Sequence, residues 1–487
     1  MENTWLALFN KCLETGHIPR EWRKSTIKTL YKGKGDPNST DAYRGIALQV
    51  AAFKILSRLL VLRISPKIEE QLPDELFGFR RNRSTIMATE SLIRHIQEEL
   101  DKERGKMYVI FVDFSKAFDM VHRNKLLEKL RQMYDDPWTL NLISNILSEN
   151  YVQINDSISQ SKWLTQTNGV LQGDPLSPLL FNILMHDVVA AVKQGARTLS
   201  TYIYADDLAL ASNNRDDLQK GMNSLIEWSD VNELKINQDK TELVIFRKGG
   251  RMAGRDEIYC KGRPLKRKNM YKYLGITLQM TAKSFSIHIR ERLIGSVKAI
   301  NDIKNIQQLS METALRLFEA KILPTLTYGI EIIWEYLTEK QLKNIEALKP
   351  RFLKRAMGLS KYTPSYVMAK ETFLLDDLTL KHLLPKTPAV KAVLRSRREK
   401  EQEIWEDFYS TEAVWSTAWR RANQEQRHVV TRLAVHGFHT KLCTNKKYHT
   451  PNSNCVCELC NKQCDRYHII KCKSRTETIS GYANSNS

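Results

Sequence analysis

The chain has 487 residues and carries 75 Lys and Arg against 55 Asp and Glu, a formal net charge of +20. That length leaves room for two to four domains with a large core, and the charge favours polyanionic partners whose binding weakens as salt rises. No run approaches the roughly 18 consecutive apolar residues that span a bilayer, and Met1-Glu2-Asn3-Thr4-Trp5 lacks the order of a secretory signal. A membrane partner is therefore not expected. An intracellular protein of the nucleus and/or cytoplasm is, and in that setting cysteines argue for metal rather than disulfides.

The first informative element is Met107-Tyr108-Val109-Ile110-Phe111-Val112. Its β-branched and aromatic run, unbroken by polar residues, predicts a buried central strand. Asp113 ends it. A helix is expected to start near Ser115, and on the plain structural reading Asp113 caps it. Next, Asn168 to Asn182 is a Gly/Pro-rich turn opening an apolar helix, with Pro175 and Pro178 near its first turn. Gly173 there permits close backbone approach, and a helix N-terminus suits an anion.

Thr201-Tyr202-Ile203-Tyr204-Ala205-Asp206-Asp207-Leu208-Ala209-Leu210-Ala211 predicts a β-hairpin whose tip carries adjacent carboxylates. Such a pair repels itself, and needs either water or a cation. Hard divalent ions such as Mg²⁺ take oxygen ligands, typically one or two carboxylates plus substrate phosphates. A strand-end Asp113 beside a hairpin-tip Asp206-Asp207 would supply the converging carboxylates that two-metal phosphoryl transfer requires.

After a Lys/Gly/Arg-rich loop around Lys248 to Arg255, the pattern turns helical. Leu293, Val297, Ile300 and Ile303 recur at three- and four-residue spacing, as do Leu315, Phe318 and Ile322. Pro385 and Pro388 bracket a break, and the charged run Arg395 to Glu403 follows. Trp405, Trp415 and Trp419 then lie beside Arg420 and Arg421, as buried helical aromatics or as base-stacking rings. Near the end, Cys457-x₂-Cys460-x₇-His468-x₃-Cys472 has the ligand types and spacing of one closed zinc site. Cys455 and Cys464 leave other ligand sets open.

The ordered series resembles the reverse transcriptases, and among them those of non-LTR (LINE-type) retrotransposons. Gly16 to Trp22, Tyr31 to Asp36, Tyr43 to Ile46, Glu75 to Arg80 and Arg83-Ser84-Thr85 are similar to that family's finger blocks. Leu234 to Asn237 with Lys240-Thr241, and Tyr271 to Ile276, resemble its last palm blocks. Ile322 to Gly329 is similar to a LINE thumb segment, and a Cys-Cys-His-Cys element follows the thumb in that family. The resemblance covers roughly residues 5 to 360. One departure is Gly45, where the family commonly has Pro.

The resemblance implies that Asp113 and Asp206 bind two catalytic Mg²⁺ ions, with Asp207 completing the cluster and Lys240 protonating the leaving pyrophosphate. Phe118 would lie beneath the incoming sugar and exclude a 2′-hydroxyl. Gln172 and Gly173 would line the nucleotide pocket, and Lys32 and Arg44 would clamp the triphosphate, Lys34 or Arg23 being alternatives. Tyr273, Leu274 and Gly275 would hold the primer end or serve packing.

The expected fold is α/β (α+β), a right-hand polymerase. Residues 1–106 would be fingers, 107–281 an antiparallel-sheet palm with inserted finger elements, and 282–384 a helical thumb. A basic helical linker at 385–454, a zinc knuckle at 455–472 and a tail at 473–487 complete the expectation. The function implied is RNA-directed DNA polymerisation, with template RNA, a DNA primer or target DNA and deoxynucleoside triphosphates as partners and no endonuclease of its own. The rivals are a binding-only relic of such an element and a group II intron-type enzyme.

Overall fold

The computed structural model describes residues 2–33, 35–155, 159–196, 198–249, 256–281, 284–309 and 311–358. The proposed zinc ligands Cys457, Cys460, His468 and Cys472, the linker tryptophans and Lys34 lie outside the described residues. Helices and sheets are mixed, and the chain divides into two compact units, one up to Ser284 and one from Phe285 onward.

In the first unit, α1 (Glu2–Thr15) precedes strands β1 (Lys24–Tyr31) and β2 (Tyr43–Leu48), then α2 (Ala51–Glu69), α3 (Thr85–Asp101) and β3 (Lys106–Val112). Helices α4 (Arg123–Met133) and α5 (Pro137–Ser148) follow, then β4 (Asn150–Asn155), β5 (Leu164–Gln166), α6 (Ser177–Met185) and α7 (Val188–Lys193). The hairpin β6 (Ser200–Tyr204) and β7 (Asp207–Ser212) leads to α8 (Arg215–Val231) and β8 (Glu242–Arg247). Short strands close the unit: β9 (Tyr259–Cys260), β10 (Arg263–Pro264), β11 (Lys266–Lys268), β12 (Met270–Tyr273) and β13 (Ile276–Gln279).

The principal sheet runs β11-β8-β3-β7-β6, so the strand expected to be central is central. Its pairs with β7 and β8 are antiparallel. The apolar run of β3 is unbroken because both its faces are covered. Tyr108, Ile110 and Val112 join the core shared with α2 and α4 to α8. On the other face, Phe111 stacks on Tyr271 of β12 with ring centroids 4.0 Å apart. A second sheet, β2-β1-β4-β5, joins the N-terminal strands β1 and β2 to β4 and β5 from beyond α5, with β1 and β4 parallel.

Helix starts follow local chemistry. The Asn214 side chain caps α8 by accepting from the N–H groups of Asp216 and Asp217, and those two acids suit the positive end of the helix dipole. Ser84 caps α3 through Met87 N–H, and Asp136 caps α5 with Pro137 just inside. Pro178 occupies the first turn of α6, whereas Pro175 lies before that helix. The helix expected near Ser115 is not formed. Residues 115–120 make turns, with Lys116 in the left-handed region at φ 49°, and α4 starts only at Arg123. Pairing decides this: Phe114 bridges Ile236 and Ser115 N–H donates to Lys235 O at 2.8 Å. These bonds tie Phe114 and Ser115 to the 235–236 segment, so a regular helix cannot begin there.

The second unit is helical. Its elements are α9 (Ser286–Asn301), α10 (Met311–Leu317), a π-helical turn at Phe318–Ile322, α11 (Leu323–Thr327), α12 (Ile330–Ile333), α13 (Glu339–Glu346) and α14 (Leu348–Ala356). Ile300, Phe318, Ile322 and Phe352 are buried, with Phe318 and Phe352 rings 5.2 Å apart. Ile303 belongs to the predicted stripe but lies past the end of α9. Among the described residues, no helix is long and apolar enough to cross a membrane.

Candidate active site

Strand register brings the carboxylates to one end of the principal sheet. The last β3–β7 pair is Val112 with Leu208, which leaves Asp113 one residue beyond it, beside Asp207. The last β6–β7 pair is Tyr204 with Asp207, so Ala205 and Asp206 form the turn. Ala205 adopts φ 56°, as tight hairpin turns require.

Asp113 is held by its backbone. Its N–H donates to Thr241 Oγ1 at 3.3 Å, and its carbonyl accepts from Asn237 N–H at 2.8 Å. Lys240 Nζ lies 4.0 Å from Asp113 Oδ2, so the segment that anchors the aspartate also delivers this lysine. Asp207 is exposed, although protein is packed densely around it. Desolvation there, then the charges of Asp206 and Asp113, push its carboxyl up to about 6. The three acids therefore feel one another.

A hydrogen-bonded segment props the hairpin from beneath. Ile203 N–H donates to Glu75 O at 2.9 Å and Phe77 N–H to Ile203 O at 2.7 Å. Gly78 follows, and a Cβ added there would lie 2.4 Å from the Ala205 backbone nitrogen. Asn182 Nδ2 donates to Gly78 O at 2.8 Å, tying α6 to the same support.

The residues assigned to the nucleotide fall on the surrounding turns. Phe118 stacks on Phe181 of α6 at 4.5 Å and 11°, while Phe79 meets it edge-on at 6.2 Å. Gln172 O accepts from Ala47 N–H of β2 at 2.8 Å. Gly173 has φ 112°, and a Cβ there would sit 2.9 Å from Ala47 O, so only glycine fits without displacement. Lys32 Nζ donates to Asp41 O at 2.7 Å, and Lys116 Nζ lies 3.4 Å from Asp41 Oδ1. Burial raises the Asp119 carboxyl against the opposing charges of Lys116 and Lys32, which links Lys32 to the turn after Asp113. Arg44 is exposed on β2, opposite Leu30.

Tyr273 is buried, 2% exposed, and its hydroxyl donates to Tyr202 O at 3.2 Å. Leu274 and Gly275, at φ 45° and 87°, form the part-exposed turn beyond it. Phe79, Lys116 and Asp119 also gather here without having been singled out in sequence. Their chain neighbours carry the motifs, while their own placement follows from a left-handed turn that residue types do not announce.

The donor set is chemically suited to a hard divalent ion, being all carboxylate and mutually repelling. Among the described residues, however, no three His, Cys, Asp or Glu side chains are arranged to hold a metal by themselves. The remaining ligands would have to be water and phosphate oxygens.

Residues 32–278, about half of the chain, match the family of reverse transcriptases (RNA-dependent DNA polymerases). The RNA-directed DNA polymerase from mobile element jockey of Drosophila melanogaster is 26% identical over 377 residues, covering 74% of this chain and 40% of that protein. The probable RNA-directed DNA polymerase from transposon BS of the same fly is 27% identical over 392 residues, covering 77% and 42%. A Pol polyprotein of the R2 element of Popillia japonica is 25% identical over 367 residues, covering 72% of this chain and 50% of its own length. The chain thus spans about two fifths of the length of the first two relatives. A telomerase from Candida tropicalis has a TM-score of 0.41 at 12% identity, covering 84% of this chain and 68% of that one, too distant to add to the assignment. The chain belongs to the reverse transcriptase (RNA-dependent DNA polymerase) family, and its curated relatives are the polymerases of non-LTR retrotransposons.

Proposed function

We propose that this chain extends a DNA 3′ end by copying RNA, with deoxynucleoside triphosphates as substrates. The observation that carries the reading is the convergence of Asp113, Asp206 and Asp207 at one end of adjacent strands. Incorporation of dTTP on a poly(rA)·oligo(dT) primer–template with Mg²⁺ tests it. RNA binding without incorporation would favour a binding-only relic instead.

The family generally uses divalent ions, and Mg²⁺ held by Asp113 and Asp206 would activate the primer 3′-oxygen and steady the departing pyrophosphate. The rest falls to the chain's own groups. Lys240, beside Asp113, would hand a proton to the pyrophosphate. Lys32 and Arg44 would bind and orient the triphosphate. Gln172 and Gly173 would line the base and sugar pocket, and the Leu274–Gly275 turn with Tyr273 behind it would steady the primer. In this reading residues 1–106 are fingers, 107–281 palm, 282–384 thumb, 385–454 a basic linker, 455–472 a zinc knuckle and 473–487 a tail.

Phe118 is the proposed sugar gate. Its ring is fixed between Phe181 and Phe79, so it cannot swing away from a 2′-hydroxyl without breaking both contacts. Phe118→Val is expected to raise ribonucleotide use relative to deoxynucleotide use by at least about tenfold, read as the ratio of kcat/KM values. An unchanged ratio would remove Phe118 from this role.

The 455–472 segment is proposed to hold one structural zinc through Cys457, Cys460, His468 and Cys472, because so short and polar a segment needs metal to fold. Purified full chain should contain about one zinc per molecule, lost when Cys460→Ser and His468→Ala are combined. Metal content unaffected by that pair would exclude this quartet.

A further inference from the structure

Asp174 follows Gly173 directly and is 8% exposed, a carboxylate sealed between the Gln172–Gly173 turn and the start of α2. Its Oδ1 accepts from Leu176 N–H at 2.8 Å, a local turn leading into α6. Its Oδ2 accepts from Gln49 Nε2 at 2.9 Å and from Ser57 Oγ at 3.4 Å. Gln49 lies between β2 and α2, and Ser57 is on the buried face of α2. Burial drives the Asp174 carboxyl upward, opposed by Leu176 N–H, Gln49, Ser57 and the charge of Lys54.

For packing alone, an apolar side chain would serve at lower cost, since a buried acid must recover its lost hydration. The Oδ1 bond stays within the turn, while the two Oδ2 bonds join the turn to the β2–α2 connection at Gln49 and to α2 at Ser57. The Gln172 carbonyl is held from the same side by Ala47 N–H. Two independent links, one by backbone and one by side chain, thus fasten the turn to β2 and α2. A Cβ added at Gly173 would come 2.9 Å from Ala47 O, so the turn lies close against β2.

We propose that Asp174 is a positioning residue that keeps the Gln172–Gly173 turn in register with β2, setting affinity for the incoming nucleoside triphosphate without touching it. This rests on the polymerase reading above. Removing the acceptor leaves the Gln49 and Ser57 donors unpaired and frees one of the two links. An Asn at this position keeps the link, because the Gln49 amide can turn. Its Oε1, buried without a partner, would then accept from the new Asn amide.

The test compares wild type, Asp174→Ala and Asp174→Asn as full chains, measuring dTTP KM and kcat on poly(rA)·oligo(dT), primer–template affinity and thermal melting. Asp174→Ala is expected to raise KM about tenfold, with kcat and primer–template affinity within about twofold of wild type. Asp174→Asn is expected to restore KM. An unchanged KM in Asp174→Ala overturns the proposal, as does a loss confined to melting temperature and kcat. Amide exchange of the peptide containing Ala47, whose N–H is bonded to Gln172 O, should also quicken in Asp174→Ala. That readout needs no catalysis. A wild-type chain that incorporates nothing counts against the polymerase reading, and exchange unchanged by Asp174→Ala then overturns this proposal separately.

Discussion

In the proposed two-metal reading, Asp206→Ala will lower kcat/KM for RNA-templated incorporation by about 10³-fold or more, because losing a metal ligand would forfeit several kcal/mol of charge stabilisation. Asp206 occupies the β6–β7 turn and its side chain is exposed, so no core contact is lost with it. Its charge is one cause of the raised Asp207 carboxyl, after desolvation. Removing it relieves a repulsion, and folding stability should be unchanged or slightly higher. Activity and stability therefore move in opposite directions, which a damaged fold would not produce. The measurement is primer extension beside thermal melting of the same preparation. Wild-type incorporation by Asp206→Ala would end the two-metal reading, whatever the melting curve shows.

Gly78→Ala will reduce turnover by about 10²-fold although Gly78 touches no substrate in the proposed reading. The added Cβ would meet Ala205 N at 2.4 Å and Tyr204 C at 3.1 Å. Both are backbone atoms in the turn that carries Asp206, so no flexible side chain can absorb the overlap. The Gly78 side is fixed as well, by Asn182 and by the Phe77 bond to Ile203. The hairpin must shift, and with it the carboxylates. Overpacking of this kind costs about 1–3 kcal/mol of stability, which melting will register. Gly249→Ala is the control: nothing lies within 4 Å of a Cβ there, and its effect should stay within about 0.5 kcal/mol. Gly78→Ala with normal turnover would show that the hairpin tolerates displacement.

The central strand and the charged hairpin were legible because each depends on a short-range rule. An unbroken β-branched and aromatic run has few alternatives to burial on both faces, and β3 lies in the middle of its sheet. Two apolar runs around Ala205-Asp206 likewise define a turn. The helix expected after Asp113 failed for a long-range reason. Leu234–Asn237, more than a hundred residues away in sequence, pairs with that segment and competes with helix formation. Tyr273 shows a similar limit: its motif left primer contact and packing both open, and only the fold buries the ring and turns its hydroxyl onto Tyr202 O.

Residue types and their order alone pointed to the family, marked three acids as candidates and determined the strand–turn signals, since those rest on local propensity and on chemistry that few side chains can perform. Only the tertiary structure decided that Asp113 stands beside Asp207, that Gly78 underlies the hairpin turn, and that Asp174 is sealed against α2. Those facts depend on strand register, where a shift of one residue would turn Asp207 to the opposite face, and on close packing between segments far apart in the chain.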